Sequence, residues 1–341
     1  MKESALDVLY QSDNNYAVVT GVSIASLLEN NQDIKEINIY LIDGGITESN
    51  LLSIRQIVER YRRNLNIIDG KKVEKDLIEY NCRPYKGSYV TYYKLLTFGS
   101  LNVPSGKVLM LDGDILVLGS LKEIMKLDLN GYIMAEIVDP YMPRHLTRRI
   151  GIPNSQPYYN AGVMLINQKE WISRRCQRRI VDHWNQEKSD YLFADQDVTN
   201  VLFGDGIKEL HIKYNFYSKN YMLQPYERLV MNINKEMLAE VRANGPVCVH
   251  CIDESWRSRP WFKGNTHSMT REWDKYLLMT PWAQWQKLDT KLNIYHRVDK
   301  VLYSLLPKLL YAVLLRSVSS LFALLSISKR MLDNKKMNVE D

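Results

Sequence analysis

The chain opens its pattern with a mostly apolar run, Ala5 to Gln11, cut off by the turn formers Ser12-Asp13-Asn14-Asn15-Tyr16. A strand is predicted there. Apolar residues then recur at Val18, Val22, Ala25 and Leu28, a helical spacing stopped by Asn30-Asn31, and a second strand runs from Ile37 to Ile42 before Asp43-Gly44-Gly45. Strand, helix and strand within some forty residues make a βαβ unit and a parallel pairing. In open sheets of that kind ligands bind beyond the carboxyl ends of the strands. Asp13 and Asn15 stand at such an end, although plain turn and helix-cap chemistry accounts for them equally well.

Further on, the pattern predicts a helix from Glu48 to Arg63, a strand at Leu65 to Ile68, and a Tyr-rich helix from Tyr89 to Leu101 that carries Lys94. Two short apolar runs follow, Lys107 to Leu111 and Ile115 to Leu118, then a short helix near Leu121 and a strand from Tyr132 to Val138 ending in Asp139. The Pro-, Arg- and Tyr-rich stretch Pro140 to Tyr158 reads as a loop. Tyr159-Asn160-Ala161-Gly162 precedes a strand at Val163 to Ile166, and a long charged helix is expected over Gln168 to Gln186. Phe193 to Asp197 opens another helix, closed by Gly204-Asp205-Gly206, and the last apolar strand, Val247 to Ile252, carries His250.

The break between the two central runs is Asp112-Gly113-Asp114. Residues i and i+2 of an extended segment point the same way, so both carboxylates can converge on one cation, and Gly113 permits a close approach. Two carboxylates rarely cage a divalent ion alone; water and substrate phosphate commonly complete the shell. An isolated Asp-x-Asp is more often a solvated turn. His250 is the candidate third ligand, against the commoner role of a strand histidine as a satisfied core or edge residue, and a nitrogen ligand in an oxygen-rich set favours Mn²⁺ over Mg²⁺ while accommodating both. Asp195 fits an N-cap, whereas Gln196 beside it has no evident structural task.

Composition adds boundaries. With 341 residues, 45% hydrophobic and 25% charged, the chain can build one large domain and an appendage. The net charge of +6 is uneven: residues 282–341 hold 10 Lys or Arg against 5 Asp or Glu, leaving +1 for the first 281. Four cysteines do not suggest a disulfide framework, and Cys248-Val-His-Cys251 lacks the second pair that a zinc site would need. The start carries no secretory pattern, so residence inside the cell is expected. From Trp282 onward Trp, Leu, Ile and Tyr recur at helical spacing among Lys and Arg, but the longest uncharged run, Ser317 to Ser328, has 12 residues against the roughly 20 of a spanning helix. Such helices suit an anionic membrane surface or packing on protein.

Taken in order, Tyr10-Gln-Ser-Asp13-Asn-Asn15-Tyr16, Thr91-Tyr-Tyr-Lys94-Leu95, Leu111-Asp-Gly-Asp114, Asp139, Tyr159-Asn160-Ala-Gly162-Val, Ala194-Asp195-Gln196-Asp197 and His250 with Arg259-Pro260-Trp261 resemble the retaining bacterial glycosyltransferases of family eight. The resemblance spans about residues 5 to 265. It implies an α/β GT-A fold, a Rossmann-like mixed sheet flanked by helices. Ser12, Asp13, Asn15 and Tyr16, with Gly113 and Arg259, would hold the nucleotide of a UDP-sugar; Asp112, Asp114 and His250 would bind Mn²⁺; Lys94, Asp139, Asn160, Asp195 and Gln196 would surround the donor sugar. The chain departs from the family in having Lys94 where relatives carry Arg, and in a longer link between His250 and Arg259.

The expected organisation is a catalytic domain over residues 1–267 and a basic amphipathic helical region over 268–341. The expected activity is transfer of a hexose, galactose preferred or glucose, from UDP-galactose or UDP-glucose to a lipid- or protein-linked glycan acceptor of the bacterial cell surface, such as an adhesin. The protein would be cytoplasmic, with residues 282–330 peripheral on the inner membrane face or packed on the catalytic domain or on a second subunit. A catalytically inactive nucleotide-sugar-binding or scaffolding subunit is the alternative, and no nucleic-acid motif accompanies the basic tail.

Overall fold

The computed structural model describes residues 5–186, 191, 193–290 and 294–317. Ten strands are present among them: β1 (Leu6–Ser12), β2 (Ile37–Asp43), β3 (Asn64–Asp69), β4 (Lys107–Leu111), β5 (Ile115–Val117), β6 (Met134–Val138), β7 (Tyr159–Asn167), β8 (Ile207–Glu209), β9 (Phe216–Tyr217) and β10 (Cys248–His250). Seven form one sheet in the order β3-β2-β1-β4-β7-β6-β8. The expected βαβ unit is there: β1 and β2 run parallel, Leu6 opposite Ile37, joined by the helix Ala17–Glu29. The sheet as a whole is mixed, because β7 lies antiparallel to both β4 and β6.

Side-chain alternation splits the sheet between two apolar layers. Val8 and Tyr10 of β1 face the helices Ala17–Glu29 and Glu48–Arg60, meeting Ile24, Leu28, Ile54 and Val58. Leu9 faces the opposite layer, where Met110 and Met164 pack with Leu95, Ile180, Trp184 and Val198. The central strands are thus buried on both faces, while β3 at the edge is partly exposed.

A second sheet of three strands, β5-β10-β9, closes the carboxyl end of β4. His250 lies opposite Ile115 in the antiparallel pair and opposite Tyr217 in the parallel one. That register carries the histidine to the Asp-Gly-Asp break, and the Cys251 amide donates to the Asp114 carbonyl at 3.0 Å.

Several local expectations change. The charged helix expected over Gln168 to Gln186 is two helices, Gln168–Ser173 and Cys176–Gln186, broken where Arg175 takes a left-handed φ of 52°. The stretch Pro140 to Tyr158, read as a loop, contains the helix Arg144–Arg149. The Tyr89 to Leu101 helix shortens to a 3₁₀ turn, Val90–Tyr92, and the helix Tyr93–Thr97. Tyr159 to Gly162 lie inside β7 rather than before it.

The packed unit continues beyond residue 267. The helix Thr270–Leu277 places Trp273, Tyr276 and Leu277 against Val18, Val19 and Val22. Trp282 covers Gly21, where a Cβ would fall 2.2 Å from the indole, so this helix contact needs glycine. The helix Ile294–Leu305 buries none of its side chains, while Tyr311 beyond it packs with Phe216, Met222 and Leu238. No helix among the described residues is long and apolar enough to cross a membrane. Most of the uncharged run Ser317 to Ser328 lies outside them.

Candidate active site

One cleft of about 780 Å³ opens at the carboxyl ends of β1 and β4, within the size range of small-molecule sites. Ser12, Asp13, Tyr16, Asp112, Gly113, Asp114, Asp139, Asn160, Asp195, Gln196, His250 and Arg259 all line it. Asn15 stands on the exposed turn after β1 and is not part of that lining. Lys94 lies just beneath, 1% exposed, and reaches the site through its ion pairs.

Asp112, Asp114 and His250 each present one ligand atom, all within 4.8 Å of one another. His250 Nε2 is 3.3 Å from an Asp114 oxygen, while Nδ1 is 3.1 Å from Asn215 Oδ1. The Asn215 Nδ2 donates to Asn160 at 2.7 Å, so its oxygen faces the ring and the proton sits on Nδ1. Nε2 is therefore left for a cation, an outer-shell arrangement typical of metal-binding histidines. Two carboxylates and an imidazole fit Mn²⁺ or Mg²⁺ by donor chemistry. Gly162 makes room: a Cβ there would come within 2.6 Å of the His250 ring. Gly113 likewise packs against Thr20, whose hydroxyl donates to Ser12 at 3.0 Å.

Cations already attend both aspartates. Arg259 bonds Asp114 and stands 3.4 Å from Asp253, its guanidinium 5.5 Å from the centre of the Trp261 ring. His250 and Arg259 outweigh burial and hold the Asp114 carboxyl well below the usual range. Burial dominates at Asp112 and pushes its carboxyl up, partly offset by Lys94. The Lys94 ammonium bridges Asp195 at 2.6 Å, Asp112 at 3.5 Å and the Ala161 carbonyl at 3.0 Å. Burial alone would depress its pKa; the carboxylates of Asp112 and Asp195 more than offset that and raise it.

Asp195 turns out not to be an N-cap. Asp197 accepts the Phe193 amide at 2.9 Å, and the other Asp197 oxygen takes the Tyr158 hydroxyl. Asp195 is freed for Lys94 and for Thr91, whose hydroxyl donates to it at 2.6 Å. Ala194 before it has a φ of 35°, a strained value for a residue with a Cβ.

Gln196 has a task after all. Its Oε1 accepts from Asn160 Nδ2 at 2.8 Å and from the Ala161 amide at 3.3 Å, and its Nε2 donates to Asp139 at 3.1 Å. Asp139 also receives Tyr217 at 3.1 Å and Asn160 at 3.3 Å. A chain of donors thus runs His250, Asn215, Asn160, Gln196, Asp139. Sequence reasoning missed Asn215 and Tyr217, which reach the site only through the β9–β10 pairing, and Gln11, whose side chain fixes the Thr91–Lys94 turn by bonds of 3.2 and 3.0 Å.

Known proteins resemble this chain in sequence and in fold. The chain is 23% identical to the general stress protein A of Bacillus subtilis over 82% of its own length and 96% of that protein's. It is 30% identical to a lipopolysaccharide 1,2-glucosyltransferase of Escherichia coli over 63% of each chain. The solved galactosyltransferase LgtC, in complex with donor and acceptor sugar analogues, superposes with a TM-score of 0.65 at 24% identity over 81% of this chain and 96% of that one. The fold is accordingly the GT-A fold of that enzyme. The family model for glycosyl transferase family 8 matches residues 7–263, which include every residue of the cleft described above, and the chain belongs to that family.

Proposed function

We propose that this glycosyltransferase is a retaining enzyme that moves a hexose, galactose preferred or glucose, from its UDP donor to a cell-surface glycan or glycoprotein acceptor. The convergence of Asp112, Asp114 and His250 beside the Asp139–Asn160–Gln196 network carries this reading. Breaking the bond from the anomeric carbon to UDP loads negative charge on the leaving diphosphate. A divalent cation, Mn²⁺ preferred or Mg²⁺, held by the three ligands supplies Lewis-acid stabilisation of that charge when bound. Arg259, beside Asp114, adds a fixed positive charge. Ser12, Asp13, Tyr16 and Gly113, with Asn15 at the rim, hold the uridine.

Lys94, Asp139, Asn160, Asp195 and Gln196 enclose the sugar. Its anomeric centre becomes cationic as the bond stretches, as in glycoside hydrolysis, and the oxygens of Asp139 and Gln196 face that charge. An amide is a poor nucleophile, so retention proceeds by attack of the acceptor hydroxyl on the face that UDP leaves, with the hydroxyl proton passing to the departing diphosphate oxygen as the bond from the anomeric carbon to UDP breaks. The Gln196 amide cannot turn without breaking its bonds to both Asn160 and Asp139, which fixes its dipole.

The test is UDP release from a panel of UDP-sugars, with Mn²⁺ or with chelator, by the wild type and Asp114→Ala. Metal-dependent release from one hexose donor, lost in the variant, supports the reading. Failure of UDP with Mn²⁺ to raise the melting temperature removes it.

The C-terminal helices carry the membrane part of the proposal. Ile294, Val298, Val301 and Leu305 recur at spacings of four, three and four, all at least half exposed, and Arg297 and Lys300 stand among them. An anionic lipid surface at the inner face of the membrane suits that stripe. Val298→Glu with Leu305→Glu abolishes co-sedimentation with phosphatidylglycerol vesicles if this is right; unchanged co-sedimentation rejects it.

A further inference from the structure

The cleft has a cation that the donor reading does not use. Lys219 follows β9 and lines the cleft together with Tyr141, Met142, Pro143 and Leu146 of the connection after β6. Its ammonium stands 5.0 Å from the centre of the Tyr141 ring. Tyr141 in turn stacks on Tyr217, with ring centres 5.6 Å apart and planes at 10°, and the Tyr217 hydroxyl bonds Asp139. The stack thus ties Lys219 to the Asp139 end of the site.

Among the described residues the Lys219 ammonium has no hydrogen bond and no carboxylate at ion-pair distance. Three acids act on it electrostatically, Asp299, Asp253 and Glu254, and each is engaged elsewhere. Asp299 takes the hydroxyls of Ser255 and Tyr311. Asp253 faces Arg259 at 3.4 Å. Glu254 is buried and receives the Ser268 amide at 3.0 Å, the Ser268 hydroxyl at 2.9 Å and Arg257 at 3.5 Å. Burial correspondingly depresses the Lys219 pKa. A half-buried ammonium over an aromatic face, lacking a counter-ion in a ligand cleft, is electrostatically incomplete.

The donor has its own provision of positive charge. Arg259 and a cation held by Asp112, Asp114 and His250 would attend the diphosphate, so the charge at Lys219 is surplus to that half of the reaction. A neutral acceptor hydroxyl would leave it unmatched. An anionic group beside the attacking hydroxyl would match it and fix the acceptor's orientation over the tyrosine stack.

We infer that Lys219, held over the Tyr141–Tyr217 stack, recognises an anionic substituent, phosphate or carboxylate, on the acceptor saccharide. The inference rests on the hexosyltransferase reading and adds the chemical class of its acceptor.

The experiment loads the full-length protein with Mn²⁺ and UDP, so that the donor site is filled, and titrates glucose 6-phosphate, glucuronate and glucose by calorimetry. The wild type binds at least one of the two anionic sugars ten-fold or more tighter than glucose, and their ranking tells phosphate from carboxylate. Lys219→Gln erases the difference and Lys219→Arg restores it. Equal affinities, no measurable binding of any of the three, or a preference that survives in Lys219→Gln overturns the inference. A loss of UDP affinity in Lys219→Gln also overturns it, since the side chain would then serve the donor. If UDP with Mn²⁺ fails to bind the wild type, the hexosyltransferase reading falls first, and the acceptor inference with it.

Discussion

Lys94 Nζ lies 2.6 Å from Asp195 and 3.5 Å from Asp112, so one buried ammonium joins a carboxylate proposed to face the donor sugar to a carboxylate of the candidate metal site. Asp195 cannot lose that partner without leaving uncompensated charge in a buried setting, whereas the Asp112 side chain is partly exposed in the cleft. Lys94→Met is expected to destabilise the protein by about 3 kcal/mol, the scale for breaking a buried pair from one side. Urea unfolding monitored by tryptophan fluorescence measures it, and an unchanged midpoint would show that the bridge carries no stability.

Gln196→Ala removes the amide that joins Asn160 to Asp139. Turnover should fall about a hundred-fold, the scale of a lost electrostatic stabiliser. The affinity for UDP with Mn²⁺ should stay within a factor of two, because Gln196 touches none of the three candidate metal ligands. Single-turnover kinetics and calorimetry separate the two quantities. Near-normal turnover would end the proposed role of the amide oxygen.

Asn215→Ala should weaken Mn²⁺ binding by 10- to 100-fold, the usual effect of losing an outer-shell partner of a ligating histidine. Gly162→Ala should do the same by another route, since its methyl would occupy the space of the His250 ring. Paramagnetic resonance titration of Mn²⁺ reads both. Full affinity in the two variants would mean that His250 is not positioned by this pair.

The pH dependence of stability is expected to centre on His267. Its Nδ1 accepts the Met269 amide at 3.1 Å and its Nε2 donates to the Ile252 carbonyl at 2.9 Å, so the folded protein holds the neutral ring. Burial is the main cause that lowers its pKa from 6.5 to about 4. The unfolded chain therefore binds the extra proton first as pH falls. The contribution is complete above pH 6.5 and is lost progressively down to about pH 4, on the order of 3 kcal/mol in all. Melting temperatures across that window should drop steeply in the wild type and less steeply in His267→Gln. Equal slopes would assign the acid sensitivity to other groups.

Much of the site could be read from the chain because its residues sit where a local rule stops. Asp112 and Asp114 stand in a break between apolar runs, and they converge there through a turn closed by the Ile115 amide on the Asp112 carbonyl at 3.1 Å rather than through the extended segment the spacing suggests. Gln196 stood out by lacking a structural duty, which proved to be the joining of Asn160 to Asp139. Other parts depend on contacts that no local period encodes. Asn215 ends the 3₁₀ turn Ile212–Tyr214 and Tyr217 belongs to the two-residue β9, elements too short for a pattern, and the parallel bridge of β9 to β10 brings them to His250. The charged stretch Gln168 to Gln186 contains no proline or glycine to mark a break, and the left-handed turn at Arg175 divides it. Gly162 reads as a loop glycine until the His250 ring is seen against it.

The donors running from His250 through Asn215, Asn160 and Gln196 to Asp139 all point one way. No amide in that series can rotate alone, since each reversal would set two acceptors or two donors face to face. Bonds aligned in this manner polarise one another. A positive charge at the imidazole would strengthen every link in turn, so the Asp139 carboxylate would register it without any atom changing its neighbours.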